Sequence, residues 1–459
     1  MRTESRMRRL LEEELERTPV PPWLHDRLAG PWRGVRRPAG SRSHPLLVTG
    51  LLLVLAAAAW MAALDRPGGG PAPAARKPSP SGVALSGLPA PLQLLHMLSA
   101  RAGWGVAWFS PSDGPAVVPQ PLHVLRTADG GRHWRDVGPR GAELGEGSAV
   151  GAAFLDARVA WIAVSGPAGA PGQMVVWSTG DGGRSWSASH LDGPAFAVGE
   201  LRIGFAGARD GWLLAAGDPA LGLQAKALYA TSDGGRSWRP VARSGMAPGL
   251  LPEQGTVTGL TFLDVRRGWL GLLYRGSGTG RLPLFRTVDG GRTWQPQSLP
   301  LPASLQPLYG DVYPPAFQSA SQGLLPVVLA TPAGRQLLLY RTGDGGESWR
   351  PGSPAALRAA VPLVADEAGA GAFFAADREG LLLSLDAGRS WWARPYPSRL
   401  RAAMAEGYTL RSLDFSSGGQ GWLLLAGPGG GPEAAARELF HTSDGGRTWQ
   451  LVGAYAAAP

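Results

Sequence analysis

The chain is 459 residues long, carries a formal charge of +9 at neutral pH and contains no cysteine. Disulfides, thiolate nucleophiles, thiolate metal sites and a lipidated-cysteine anchor are therefore excluded, while the compartment is left open. Residues 1–45 hold ten arginines against six acids, and the long remainder is too mildly basic for a nucleic-acid-binding domain.

Within residues 1–45, Met7, Leu10, Leu11 and Leu15 fall on one helical face, and Thr18-Pro19 ends the run. A short amphipathic helix in a cytoplasmic tail is predicted there. Residues 46–64 read LLVTGLLLVLAAAAWMAAL, without a charge. At ~1.5 Å per residue they span about 28 Å, enough for a bilayer core, and Trp60 suits the interface. Arg33, Arg36, Arg37 and Arg42 precede the segment, so the positive-inside rule keeps the N-terminus cytoplasmic and sends the rest outside. The charged stretch ahead of it is far longer than a signal peptide's n-region, which predicts an uncleaved single-pass anchor. Residues 65–87, rich in Pro and Gly, read as a linker.

From residue 88 to 459 the chain repeats. Seven boxes recur: TADGGRHW (127–134), TGDGGRSW (179–186), TSDGGRSW (231–238), TVDGGRTW (287–294), TGDGGESW (342–349), SLDAGRSW (384–391) and TSDGGRTW (442–449). Their aspartates, Asp129, Asp181, Asp233, Asp289, Asp344, Asp386 and Asp444, are 52, 52, 56, 55, 42 and 58 residues apart. Ahead of most boxes runs an apolar strand, a polar turn, then Gly-Trp and another apolar strand, as in IGFAGARDGWLLAAG (203–217). Each unit thus supplies four short strands, with Asp-Gly as a hairpin signal. Such units repeated radially predict an all-β fold, a seven-bladed β-propeller of four-stranded antiparallel blades preceded by the transmembrane helix. How the last blade meets the first is left open.

The box has a physical reading. Thr231 and Asp233 can accept hydrogen bonds from turn N–H groups, and Gly234 and Gly235 permit positive φ. The tryptophans Trp134, Trp186, Trp238, Trp294, Trp349, Trp391 and Trp449 begin the return strands and can bury their rings between sheets, for about 2–3 kcal/mol each. The aspartate is then a structural group rather than a free acid or base.

The pattern [S/T]-x-D-x-G-x-x-W resembles the Asp-box, or bacterial neuraminidase repeat. Its pairing with F-x-D-x-x-x-G-W resembles more closely the photosystem II assembly and stability factor family over residues 92–453. That resemblance implies a propeller working on the outer side of a membrane. The tail and anchor of residues 1–65 depart from the family's pattern and place a photosynthetic role in doubt. A sialidase-type propeller would add an early Arg-Ile-Pro motif and a Tyr-Glu pair. The nearest string here, Arg281-Leu-Pro283, comes far too late, and no Tyr-Glu pair stands out.

Six boxes carry an arginine after the small pair, Arg132, Arg184, Arg236, Arg292, Arg389 and Arg447, with Glu347 the exception. These are a candidate binding rim for a protein or glycan surface; salt bridging or stacking on an aromatic is the structural alternative. Twelve of the eighteen tryptophans lie in box or Gly/Ala-Trp positions and have a packing role. Asp311, Asp366, Glu367 and Glu406 are isolated acids whose convergence the sequence cannot establish. His96, His123, His133, His190 and His441 lack metal-ligand spacing, so neither a metal nor a cofactor is expected. The expected function is a membrane-anchored extracytoplasmic scaffold that binds a protein partner and catalyses nothing. The alternatives are a glycan-binding or sialidase-like hydrolase, and a sensor signalling through the tail.

Overall fold

The computed structural model describes residues 88–455 apart from 111–112, 114–118, 168–171, 275–281, 306, 358–363, 368–370 and 429–435, and for 364–367 only the backbone. The tail, the apolar segment 46–64 and the linker lie outside these residues. Among the described residues no helix is long and apolar enough to cross a membrane.

Strand pairing gives seven sets of four sequential antiparallel strands, within residues 92–136, 150–192, 200–245, 256–296, 316–351, 364–395 and 409–455. The third set is representative: Glu200–Phe205, Gly211–Ala216, Lys226–Thr231 and Arg239–Gly245 pair in chain order. The Gly-Trp strand Gly211–Ala216 is buried throughout, because it has a strand on either side and a sheet against each face. The last strand is half-buried or exposed, as an outer edge should be. The fourth and fifth sets are joined into one ten-stranded sheet by Tyr309–Val312, which pairs with both.

One element departs from the strand-only expectation. Ser398–Ala405 forms a helix between the sixth and seventh sets. Leu400, Ala403 and Met404 fall at i, i+3 and i+4 and pack against Phe374, Leu413 and Phe415. Its apolar face is one turn and a half long, too short for a periodicity signal to register.

The core is a series of clusters between consecutive sheets. Aromatic stacks recur at the contacts. Trp161 lies 3.5 Å, centroid to centroid, from Phe205 of the next sheet, and Trp212 lies 3.7 Å from Phe262. Phe205 and Phe262 in turn meet their own box tryptophans, Trp238 and Trp294, edge-on. The glycine of each Gly-Trp pair makes room for the stack. In three of the four it sits opposite a phenylalanine in register (Met97 faces Gly103), and a Cβ there would fall 2.4 Å from the Phe205 ring at Gly211 and 2.6 Å from the Phe262 ring at Gly268.

The seventh sheet packs on the first without exchanging a strand. Trp422 Nε1 donates to the Gly130 carbonyl (3.0 Å), Trp134 Nε1 to the Tyr455 hydroxyl (3.1 Å) and that hydroxyl to the Gly131 carbonyl (2.6 Å). Beneath them Arg437, fully buried, donates to the Leu92 carbonyl (2.9 Å) and to Asp113 (2.6 Å). Asp113 also accepts from Gln93, whose carbonyl oxygen takes a bond from Arg411. A buried pair of this kind stabilises only when its remaining polar atoms are bonded, and here they are.

Candidate functional site

The box turns connect the third and fourth strands of each set, at the end where the first hairpin also turns. Gly234 N–H donates to the Arg209 carbonyl of that hairpin (2.9 Å), and six other boxes repeat the bond, from Gly130 to Arg101 through Gly445 to Gly419. In the third box Thr231 Oγ1 donates to Asp233 Oδ1 (2.8 Å) and accepts from Gly235 N–H (3.0 Å). Asp233 Oδ1 also accepts from Ser237 N–H (3.0 Å), and Oδ2 from the Ser237 hydroxyl (2.6 Å). Gly234 and Gly235 have φ of 79° and 85°, where a side chain would be strained. Asp129, Asp181, Asp289, Asp344, Asp386 and Asp444 sit in the same pattern.

The residue just before the box tryptophan closes this ring of bonds. It reads His133, Ser185, Ser237, Thr293, Ser348, Ser390 and Thr448, and its side chain reaches the carboxylate in every copy. Sequence reasoning missed the position, although a hydrogen-bonding side chain at all seven was the available signal. The Ser185 hydroxyl and N–H hold Asp181 down to about 2. At Asp233 burial alone would raise the pKa, but the Ser237 and Thr231 bonds prevail and bring it to about 2. Such carboxylates stay ionised at neutral pH and have their lone pairs engaged, so they are poor proton carriers.

The box tryptophans lie in the seams between sheets. Trp186 Nε1 donates to the Val137 carbonyl of the preceding sheet (2.6 Å) and Trp391 to Ser353 (2.8 Å), while Trp238 and Trp294 bond within their own turns and Trp349 and Trp449 are buried. The Gly-Trp indoles reach forward instead. Trp161 and Trp212 donate to the box glycine carbonyls of Gly234 and Gly290 in the next sheet.

Arg132, Arg184, Arg236, Arg292, Arg389 and Arg447 are all exposed at this end. Among the described residues none of the six makes an ion pair or stacks on a ring. Arg132 and Arg292 donate to their own box carbonyls, at Asp129 (3.0 Å) and Asp289 (2.8 Å). The stacked arginines are others: Arg126 lies over Trp104 (4.8 Å) and Arg286 over Trp269 (5.8 Å). The hairpin turns add Arg101, Arg158, Arg209 and Arg266 to the same end, a set that sequence reasoning did not single out because the turns vary in sequence.

The other candidates that the structure describes each have their own local setting. Asp311 is buried, 3.4 Å from Arg335, and Glu406 is exposed at the end of the helix; the Asp366, Glu367 and Arg281 side chains lie outside the described residues. His123 pairs with Asp136 (2.6 Å), His133 with Asp129 (2.6 Å), His441 contacts Gln420 (2.9 Å), His96 stacks on Phe154 and His190 is exposed on an outer strand. Among the described residues no three His, Asp or Glu side chains gather as a metal site would require. Lys226, buried, gives its ammonium protons to the carbonyls of Gln224, Glu253 and Gly255. Burial pushes its pKa down to about 8.

Four-stranded antiparallel sheets packed on one another through aromatic stacks, each with a self-bonded acidic turn, define an all-β fold of the β-propeller class. No protein family and no curated protein matches the sequence. Among solved structures, YCF48 bound to a D1 peptide is similar at 17% identity over 76% of this chain and 95% of that one, with a TM-score of 0.45. YCF48 from Cyanidioschyzon merolae is similar at 15% identity over 67% of this chain and 85% of that one, with a TM-score of 0.41. The Penicillium chrysogenum α-L-arabinanase complexed with arabinobiose is similar at 14% identity over 64% and 92%, with a TM-score of 0.39.

Proposed function

We propose that this chain is a seven-bladed propeller that docks a protein partner through its box end, held at the outer face of a membrane by residues 46–64 with residues 1–45 in the cytoplasm. The observation that carries the reading is the division of labour within the box. Its acid, hydroxyls and glycines are engaged in their own turn, whereas its arginine is exposed and without a counter-ion among the described residues. A ring of such arginines supplies a positive field that steers an acidic protein surface, and it supplies no acid, base or nucleophile.

The test is cross-linking capture of partners by the tagged full-length chain in its own membrane, compared with an R236E/R292E/R389E variant that melts normally. Partners recovered with the native chain should be lost from the variant. Equal recovery of the same partners, or turnover of a fluorogenic sialoside or arabinan by the purified chain, overturns the proposal.

A further inference from the structure

Seven similar seams invite comparison at matching positions. In the first sheet the residue before the box threonine is Arg126, and it reaches across to the second box, where Nη1 donates to the Gly182 carbonyl at 3.4 Å. There it meets Arg184, whose like charge, after burial, lowers the Arg126 pKa. In the fourth sheet the matching residue is Arg286, and the fifth box carries Glu347 where the second carries Arg184. Arg286 and Glu347 form a two-pronged ion pair, Nη1 to Oε2 at 2.9 Å and Nη2 to Oε1. One seam neutralises its cation internally. The other sets two guanidiniums against each other, an arrangement that costs free energy until an anion lies between them.

The seam with two arginines opens into a cleft of about 1020 Å³, against 640 Å³ at the neutralised seam. Arg126, Arg135, Arg140 and Arg184 line it together with Trp177 and Trp186. Both indoles are half-buried, and the Arg135, Arg140 and Arg184 side chains are exposed with no hydrogen bond or ion pair of their own among the described residues. Three carboxylates also border the cleft, but each already has partners: Asp129 with His133 (2.6 Å), Asp136 with His123 (2.6 Å) and Gly138 N–H (2.8 Å), and Asp181 with Ser185 (2.6 Å). The arginines are the groups left to engage a ligand.

We propose that this cleft binds an anionic sugar chain, with Arg126 and Arg184 holding a carboxylate or sulfate and Trp177 and Trp186 offering ring faces to the pyranose. Guanidiniums match both anions in a planar, two-pronged geometry. The two half-buried indoles favour a sugar ring over an acidic peptide. Val137 N–H bonds Val124, the Val137 carbonyl takes the Trp186 indole, and Gly182 and Gly183 N–H groups bond Arg158 and Thr179. Those backbone groups are taken, whereas the outer strand Arg135–Asp136 pairs on one side only, so the choice between sugar and peptide falls to the side chains. The inference stands apart from protein docking, whose test leaves Arg126 and Arg184 intact.

The experiment is calorimetric titration of the full-length chain in detergent with hexagalacturonate, a heparin hexasaccharide, maltohexaose and hexaglutamate. One or both anionic sugars should bind, which identifies carboxylate or sulfate as the preferred group, while maltohexaose and hexaglutamate should bind at least about tenfold more weakly. R184E recreates the Arg286–Glu347 pairing in this seam, so it should melt like the native chain yet lose about tenfold or more in affinity. W177A should weaken sugar binding without changing the melt. E347R opens the matching seam and should raise the stoichiometry from about one site towards two. Failure of both anionic sugars to bind, hexaglutamate binding as tightly as they do, or R184E and W177A each leaving the affinity unchanged would overturn the proposal.

Discussion

Replacing Gly268 by alanine isolates the contact that holds successive sheets together. Gly268 lies opposite Phe262 in register and its φ is not positive, so alanine fits the backbone. By loss of unfolded-state freedom alone the change would stabilise by about 0.4–1 kcal/mol. The added Cβ, however, would fall 2.6 Å from two ring carbons of Phe262 and 2.9 Å from a third. The ring cannot retreat, because Trp212 stacks on it at 3.7 Å with planes 1° apart and Trp294 closes its edge. Overpacking of this kind costs about 1–3 kcal/mol, so a net loss of about 1–2 kcal/mol is expected. The second sheet is a natural comparison: it has Ala160 opposite Phe154, and there Trp104 and Phe154 sit 5.5 Å apart instead. Gly204, where an added Cβ would meet nothing within 4 Å, is the matched control and should gain slightly as alanine. Urea unfolding followed by tryptophan fluorescence reads both variants, and G268A/F262L should recover most of the loss. A G268A protein as stable as the native chain, or strict additivity in the double variant, would refute the steric account.

Two further perturbations address the box. Ala387 replaces the first box glycine in the sixth copy and is held at φ 58°, whereas its counterparts Gly130 and Gly234 have φ of 80° and 79°. A387G should stabilise by about 0.5–1 kcal/mol, the left-handed cost of alanine less the extra entropy of glycine, and a lower urea midpoint would contradict this. The box carboxylates give an acid dependence: Asp181, Asp233, Asp344, Asp386 and Asp444 are held at about 2, below the unfolded value near ~3.9. The unfolded state takes up protons first, so their contribution is complete above about pH 5 and is lost progressively as pH falls through about 2. D233N should lower stability by about 1 kcal/mol at pH 7 and flatten part of the slope between pH 4 and 2; an unchanged slope would show the carboxylate to be loosely held.

What could be read from the sequence was what the repeat encodes locally. Each box supplies hydroxyl, acid and glycines within eight residues, and hydrogen bonds of that range follow from residue type alone. The strands were legible for the same reason, since apolar runs end at turn residues. Arg437 and Asp113 were not legible: they are 324 positions apart and meet only because the last sheet lies on the first. Glu347 was visible as an exception, but its meaning needed Arg286, whose reach across a seam is a tertiary fact. The two arginines of the first seam were equally hidden, one counted with the rim and the other lost in a strand.

Binding capacity in such an array resides in its departures from uniformity. The hydrogen bonds of the box and the Trp–Phe stacks fix where each side chain emerges, so one slot can change charge while the sheets around it keep their packing. At that slot Arg184 faces Arg126, Arg447 acts on Arg394, Arg132 acts on His441, and among the described residues Glu347 alone faces an opposite charge. Two seams, Arg126 with Arg184 and Arg394 with Arg447, therefore gather positive charge where one cancels it, while burial and Arg132 keep His441 neutral. A field built this way is local, and because its arginines are exposed it weakens with added salt. The same scaffold that engages the aspartates in their own turns leaves the cations, seam by seam, as the part of the repeat on which the two proposed binding roles rest.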